Sequence, residues 1–148
     1  MGTIYNEYVP NTWEWAVSRI IVHHELDWPT GNKTPYRELY RSNMIPVIAR
    51  TAWTELKDSG IDMDAHEMIA LLAGKQHDYG HANIMEHGQH GVMIRLWDKI
   101  ARYDNLQRRG VDPENESLHD TLKDMVGYCI IWLMLGNNTF TLPLDGDR

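Results

Sequence analysis

Apolar residues recur at helical spacing along most of the chain, and polar or glycine-rich breaks divide that pattern into segments. Trp13, Val17, Ile20, Ile21 and His24 fall on one stripe behind a capping Asn11-Thr12, which predicts a helix through about Glu25. Trp28-Pro29-Thr30-Gly31-Asn32 reads as a loop. Thr34-Pro35 opens a second helix, with proline at its first position, expected to run to about Asp58 and stop at Ser59-Gly60. Pro46 falls inside it and predicts a kink or a break. Asp62 or Asp64 caps a third helix through Ala73-Gly74, after which the polar, His- and Gly-rich stretch Lys75–Gly91 has no clear period. A fourth helix is predicted from Val92 to about Arg108, broken by Gly110-Val111-Asp112-Pro113. A fifth opens near Pro113-Glu114 and runs to Leu135, with Gly136-Asn137-Asn138 as its stop and the last ten residues as an extended tail. No alternating β-branched run suggests a strand. The predicted fold class is all-α, a single domain of about five helices spanning residues 1–148.

Composition narrows the function classes. At 148 residues and 43% hydrophobic, the chain can bury one core. Its longest uncharged apolar run, Met125–Leu135, is about half the roughly 18–20 residues of a membrane span, so no membrane role is expected. The N-terminus lacks the basic start and apolar stretch of a signal peptide. The single cysteine, Cys129, excludes an internal disulfide and a cysteine-built zinc site, and a reducing cytoplasm is the expected location. With 14 Lys and Arg against 21 Asp and Glu, the net charge is −7, which gives no broad footprint for a nucleic-acid backbone. A phosphorylated small molecule stays open as a ligand, with divalent cations held by carboxylates supplying positive charge.

Three clusters carry candidate chemistry. In the fifth helix, Glu116, Asp120 and Asp124 are spaced by four, so all three project from one side within two turns, while Leu118, Leu122, Met125, Val126, Cys129 and Leu133 supply the buried side. Like charges at that spacing repel, so the face is either plainly solvated or shares a cation. In the fourth helix, Arg95, Asp98, Lys99 and Arg102 share a face opposite Ile94, Leu96, Trp97, Ile100 and Ala101. That charged stripe reads as surface pairing or as one wall of a cleft, with Asp98 joining the metal ligands and the cations meeting phosphate. The short connection predicts an antiparallel hairpin that brings the two stripes together. Before it, Lys75, Asp78 and Tyr79 offer a cation, an acceptor and an aromatic face, the parts needed to grip a nucleotide, or else simply end a helix at Gly80. The pairs His77/His81 and His87/His90 are either transition-metal ligands or solvated loop residues. No serine elbow, phosphate-cradling loop or dinucleotide fingerprint is present, and Cys129 has no obvious base beside it.

Taken in order, Lys75-x-x-Asp78-Tyr79-Gly80, Gly91-Val92-Met93-Ile94-Arg95-x-x-Asp98-Lys99-x-x-Arg102 and Glu116-Ser117-x-x-Asp120-Thr121-Leu122-x-Asp124-x-x-x-Tyr128 resemble the nucleotide-modification-associated domain, over about residues 75–135. That family is common in phages and their hosts and is related to MazG-type nucleotide pyrophosphohydrolases. The resemblance implies an all-α MazG-like bundle completed by oligomerisation, as a homodimer or homotetramer. It implies Mg²⁺ (or Mn²⁺) on Glu and Asp from two helices, and hydrolysis of nucleoside triphosphates to monophosphate and pyrophosphate. Asp124 followed by Tyr128 fits the second acidic motif of that superfamily. The first motif departs from it: where paired glutamates are usual, this chain carries Arg95 and Asp98. Glu86 or Glu67 is a candidate to supply a missing ligand.

The reading that follows is a Mg²⁺-dependent (deoxy)nucleoside triphosphate pyrophosphohydrolase. Asp98, Glu116, Asp120 and Asp124 are the expected metal ligands, and Glu116 also the proton acceptor from the attacking water. Lys99, with Arg95 and Arg102, is expected to neutralise charge on the leaving pyrophosphate, and Lys75, Asp78 and Tyr79 to contact sugar or base. The altered first motif motivates an alternative, a non-catalytic module that binds or sequesters a nucleotide. A third reading takes the adjacent His77-Asp78, with His23 or His24 upstream and Asp120 or Asp124 downstream, as the metal pattern of HD-domain phosphohydrolases.

Overall fold

The computed structural model describes residues 3–110 and 117–147. Six α-helices and two 3₁₀ turns, with no strand, make up the described residues, so the all-α expectation holds. Helix α1 spans Trp13–His24, α2 Tyr36–Leu39, α3 Ile45–Asp58, α4 Ala65–Tyr79, α5 Ala82–Arg109 and α6 Leu118–Gly136.

Side-chain caps set several boundaries. Thr12 caps α1, accepting from the Trp15 amide at 3.3 Å while its hydroxyl donates to the Val9 carbonyl at 2.7 Å. Asp64 caps α4 through the Glu67 amide at 2.8 Å, and Ser117 caps α6 through the Asp120 amide at 3.0 Å. Thr12 is fully buried, so the Thr12→Ala variant loses both bonds. It should unfold about 1–2 kcal/mol more easily in a denaturant titration, with an unchanged slope.

Several segments differ from the sequence pattern for identifiable reasons. The helix expected over 34–58 is interrupted: α2 is one turn long, a 3₁₀ turn follows at Ser42–Met44, and Pro46 sits in the first turn of α3. There its missing N–H needs no partner, so of the kink or break expected at Pro46 the break forms, and proline starts this helix. The third helix passes through Gly74 and ends five residues later, because one glycine costs only about 1 kcal/mol inside a helix otherwise well packed. The stretch 75–91 is therefore mostly helical. It forms the last turns of α4 and the first part of α5, with a break at Gly88. The expected opening of the last helix at Pro113-Glu114 falls outside the described residues. The C-terminal residues dock: Phe140 is buried edge-on against Trp13 at 6.4 Å, and the Pro143 carbonyl accepts from the Trp13 amide at 2.8 Å.

The core is built around α6, which packs against both α3 and α5. Met125, Val126, Cys129, Ile130 and Met134 of α6 are buried against Ile48, Ala52, Trp53 and Leu56 of α3 and Val92, Leu96 and Ile100 of α5, with Val17, Ile20 and Ile21 of α1 closing the cluster. Along α5 and α6 the pairs Arg102 with Thr121, Lys99 with Asp124 and Gln89 with Trp132 run in opposite directions, so the predicted antiparallel hairpin forms. The apolar face expected on α5 is only partly covered: Leu96 and Ile100 are buried, while Ile94 and Trp97 remain on the surface. Among the described residues, no helix is long and apolar enough to cross a membrane.

Candidate functional site

A cavity of about 330 Å³ lies where α4, α5 and α6 meet, with Trp13 of α1 on its wall. The second half of α4 contributes Leu72, Lys75, Gln76 and Tyr79 at the i, i+3, i+4, i+7 spacing of one helical face. From α5 come Arg95 and Lys99, one turn apart, and from α6 Asp124, Gly127, Tyr128 and Ile131. A Cβ at Gly127 would stand 2.8 Å from Leu72 Cδ2, so a larger residue there would push that leucine side chain aside on the cavity wall.

Asp124 is the electrostatic centre. Its Oδ1 lies 2.7 Å from Lys75 Nζ and its Oδ2 3.0 Å from Lys99 Nζ, and its side chain is only 14% exposed. Lysines from two different helices thus converge on one half-buried carboxylate, where reduced solvent screening strengthens each charge-assisted bond. Arg95 shares the cavity, so among the described residues that line it three are cationic and one is a carboxylate, in a chain whose formal net charge is −7. Tyr79 stands 73% exposed at the rim, an aromatic face without a packing role, beside the cations. The fully buried indole N–H of Trp13 has no hydrogen-bond partner among the described residues.

The sequence-derived residues divide sharply. Lys75, Tyr79, Arg95, Lys99, Asp124 and Tyr128 come together at this cavity. Arg102 does not line it and hydrogen-bonds to Thr121 on α6. Asp78 also turns away, exposed and 3.2 Å from its neighbour His77. Asp98 is exposed on the side of α5 that faces Tyr40. There burial, and then the Asp98 charge, hold the tyrosine hydroxyl pKa above its usual value. Asp120 is 56% exposed, with Lys123 at 3.9 Å. Glu116 lies outside the described residues. Glu67 and Glu86 are both exposed and neither lines the cavity. Asp98 therefore does not line the cavity that holds Asp124 and Lys99, because successive residues on a helix are about 100° apart and a stripe that includes both 98 and 99 is too wide to aim at one point. Among the described residues, no three His, Cys, Asp or Glu side chains gather as a metal group, so the HD set does not assemble. Burial pushes the Cys129 thiol pKa up, consistent with an inert core side chain.

Gln76, Asn83 and Ile84 also line the cavity; Gln76 shares the face of Lys75 and Tyr79, a signal hidden while residues 75–91 had no clear period, and nothing in the sequence marked Asn83 or Ile84. A second cavity, about 360 Å³, lies between α3, α5 and the 30–37 segment. Its polar groups are largely engaged in holding that segment. Glu55 accepts from Tyr36 at 2.7 Å and from Tyr103, Thr54 accepts from the Thr30 amide, and Thr51 from Asn32. Burial and the bond to Glu55 push the Tyr103 hydroxyl pKa up to about 12.

The match to known families falls on the first cavity. Residues 75–135 are similar to the family described as nucleotide modification associated domain 1. The matched segment covers less than half of the chain, yet it contains every cavity-lining residue except Trp13 and Leu72. No curated protein and no solved structure matches the chain.

Proposed function

We propose that the cleft between α4, α5 and α6 binds a nucleoside phosphate, most simply a (deoxy)nucleoside triphosphate. The observation that carries this reading is the pair of lysines, Lys75 and Lys99, held 2.7 and 3.0 Å from Asp124 in a cavity that also presents Arg95. An anionic phosphate chain entering the cleft exchanges one carboxylate for several phosphate oxygens around the same ammonium groups, and Arg95 adds a fork that can grip two of them. The exposed ring of Tyr79 offers a stacking face for a base, which any base accepts. The similarity of residues 75–135 to a nucleotide-modification-associated domain supports the same ligand class.

A second reading, cleavage of the triphosphate to monophosphate and pyrophosphate with Mg²⁺ or Mn²⁺, is favoured by Asp120 and Asp124 standing one turn apart on α6. When bound, such an ion neutralises phosphate charge and lowers the pKa of a water. The described side chains do not fit it as they stand. Both Asp124 oxygens are engaged by ammonium groups, and Asp98 faces elsewhere. No step is therefore derived through a metal.

One titration series separates the readings. Calorimetry with the four dNTPs and four NTPs, with and without Mg²⁺, should show saturable binding of at least one nucleotide, recovered intact by chromatography. Stoichiometric pyrophosphate and monophosphate in the recovered solution would establish the hydrolytic reading instead. Heats no larger than dilution for all eight would overturn both.

A further inference from the structure

Two glycines bracket a short segment at the edge of the cleft. Gly80 follows α4 at φ 67°, ψ −163°, and Gly88 interrupts α5 at φ 61°, ψ −148°. Both conformations belong to a region that only glycine populates readily. Neither glycine is there to make room, because a Cβ at either position would meet nothing within 4 Å. Gly127, by contrast, has Leu72 Cδ2 2.8 Å from where a Cβ would stand. The two junctions are therefore backbone devices.

On either side of the bracket the chain is anchored to α6. Before it, Lys75 reaches Asp124; after it, Gln89 Nε2 donates to the Trp132 carbonyl at 3.0 Å. Between the anchors, residues 81–87 form little more than a turn of helix and bury a single side chain, Ile84, while all their other side chains are exposed. Ile84 and its neighbour Asn83 line the cavity. The Asn83 side-chain oxygen accepts from the Ile84 amide at 2.9 Å, which leaves its NH₂ as the end that can donate to a ligand.

We propose that residues 81–87 are a strap, hinged at Gly80 and Gly88, that closes over a nucleoside phosphate in the cleft and brings the Asn83 carboxamide against it. This rests on the nucleotide-binding reading above. A segment held down by one apolar side chain opens easily, so ligand entry needs no movement of the packed helices. Closure then adds Asn83 and Ile84 to the ligand's surroundings, while the cations of α4 and α5 stay fixed on their rigid helices.

The test uses the full chain and the four dNTPs as probes. With a saturating dNTP, amide exchange at residues 83–87 should slow by about tenfold or more, while exchange in α3 stays unchanged. Asn83→Ala, a surface change, should keep the native melting temperature and bind the same dNTP about tenfold more weakly. Gly88→Ala, pushed towards a continuous helix, should lose the ligand-dependent protection. If a dNTP binds but exchange at 83–87 does not change, or Asn83→Ala binds at native affinity, the strap is overturned and the cleft reading stands. If no dNTP binds at all, both fall together.

Discussion

Lys99→Ala should weaken nucleoside triphosphate binding by roughly 10–150-fold, and Asp124→Asn should leave that affinity unchanged or raise it. A hydrogen bond to a charged group contributes about 1.5–3 kcal/mol, which sets the first range. Lys99 is only 23% exposed and comes from a helix whose neighbouring turn is packed in the core, so its ammonium is held where a phosphate would meet it. Asp124 has the opposite effect. In the unliganded cleft its carboxylate engages the two ammonium groups, so an incoming phosphate has to compete with it. The asparagine variant keeps the shape and removes the competing charge. A metal-dependent hydrolase predicts the reverse sign, since there the carboxylate holds the ion and its loss abolishes turnover. Calorimetry on the two variants, with melting curves to confirm folding, reads both signs. Equal losses from Lys99→Ala and Asp124→Asn would overturn the phosphate-binding account.

Much of the helix plan was legible because its signals are local. Thr12 and Asp64 cap the helices they precede, and Pro46 marks the start of one. The stretch 75–91 was not legible, because glycine and histidine lower helix propensity and Gly88 resets the helical phase between Ile84 and Val92, both buried. The helix beyond the five expected, α2, is one turn long and bears no periodic signal. The docked C-terminus was also invisible, since burial of Phe140 depends on Trp13, more than a hundred residues away. Ile94 and Trp97 show the converse: spacing grouped them with Leu96 and Ile100, but only the latter two are buried.

For the site, residue type carried further than geometry. Lys75, Tyr79, Arg95, Lys99 and Asp124 were chosen for their chemistry and do share a cavity. Repulsion among the spaced carboxylates on α6 left plain solvation or a shared cation open; Asp120 is exposed, while at Asp124 ammonium groups from α4 and α5 stand beside the carboxylate. Periodicity fixes which way a side chain leaves its own helix; it does not say which neighbouring helix supplies the partner. For that reason Asp98, Asp78 and Arg102, on helices that do reach the cleft, still end up outside it. Gln76, Asn83 and Ile84 belong to no chemical motif and were found only by their position on the cavity wall.

Stability and binding should be separable, because no residue of α3 lines the cleft. Trp53 of α3 is 1% exposed, and its indole N–H donates to the Met63 carbonyl at 2.8 Å, tying the α3–α4 connection to the core. Trp53→Ala removes a large ring and that bond together, and should cost about 3–5 kcal/mol, a large share of the roughly 5–15 kcal/mol that holds a domain of this size folded. Urea titration followed by far-ultraviolet circular dichroism reads the loss directly. Trp53→Phe keeps most of the volume and loses only the donor, so about 1–2 kcal/mol is expected, from a buried carbonyl left without its partner. That milder variant still folds, and its nucleotide affinity should be native, because Lys75, Lys99, Arg95 and Asp124 are placed by α4, α5 and α6. If Trp53→Phe weakened nucleotide binding as much as Lys99→Ala, the cleft would depend on the α3 side of the core, and the assignment of the site to three helices would have to be abandoned.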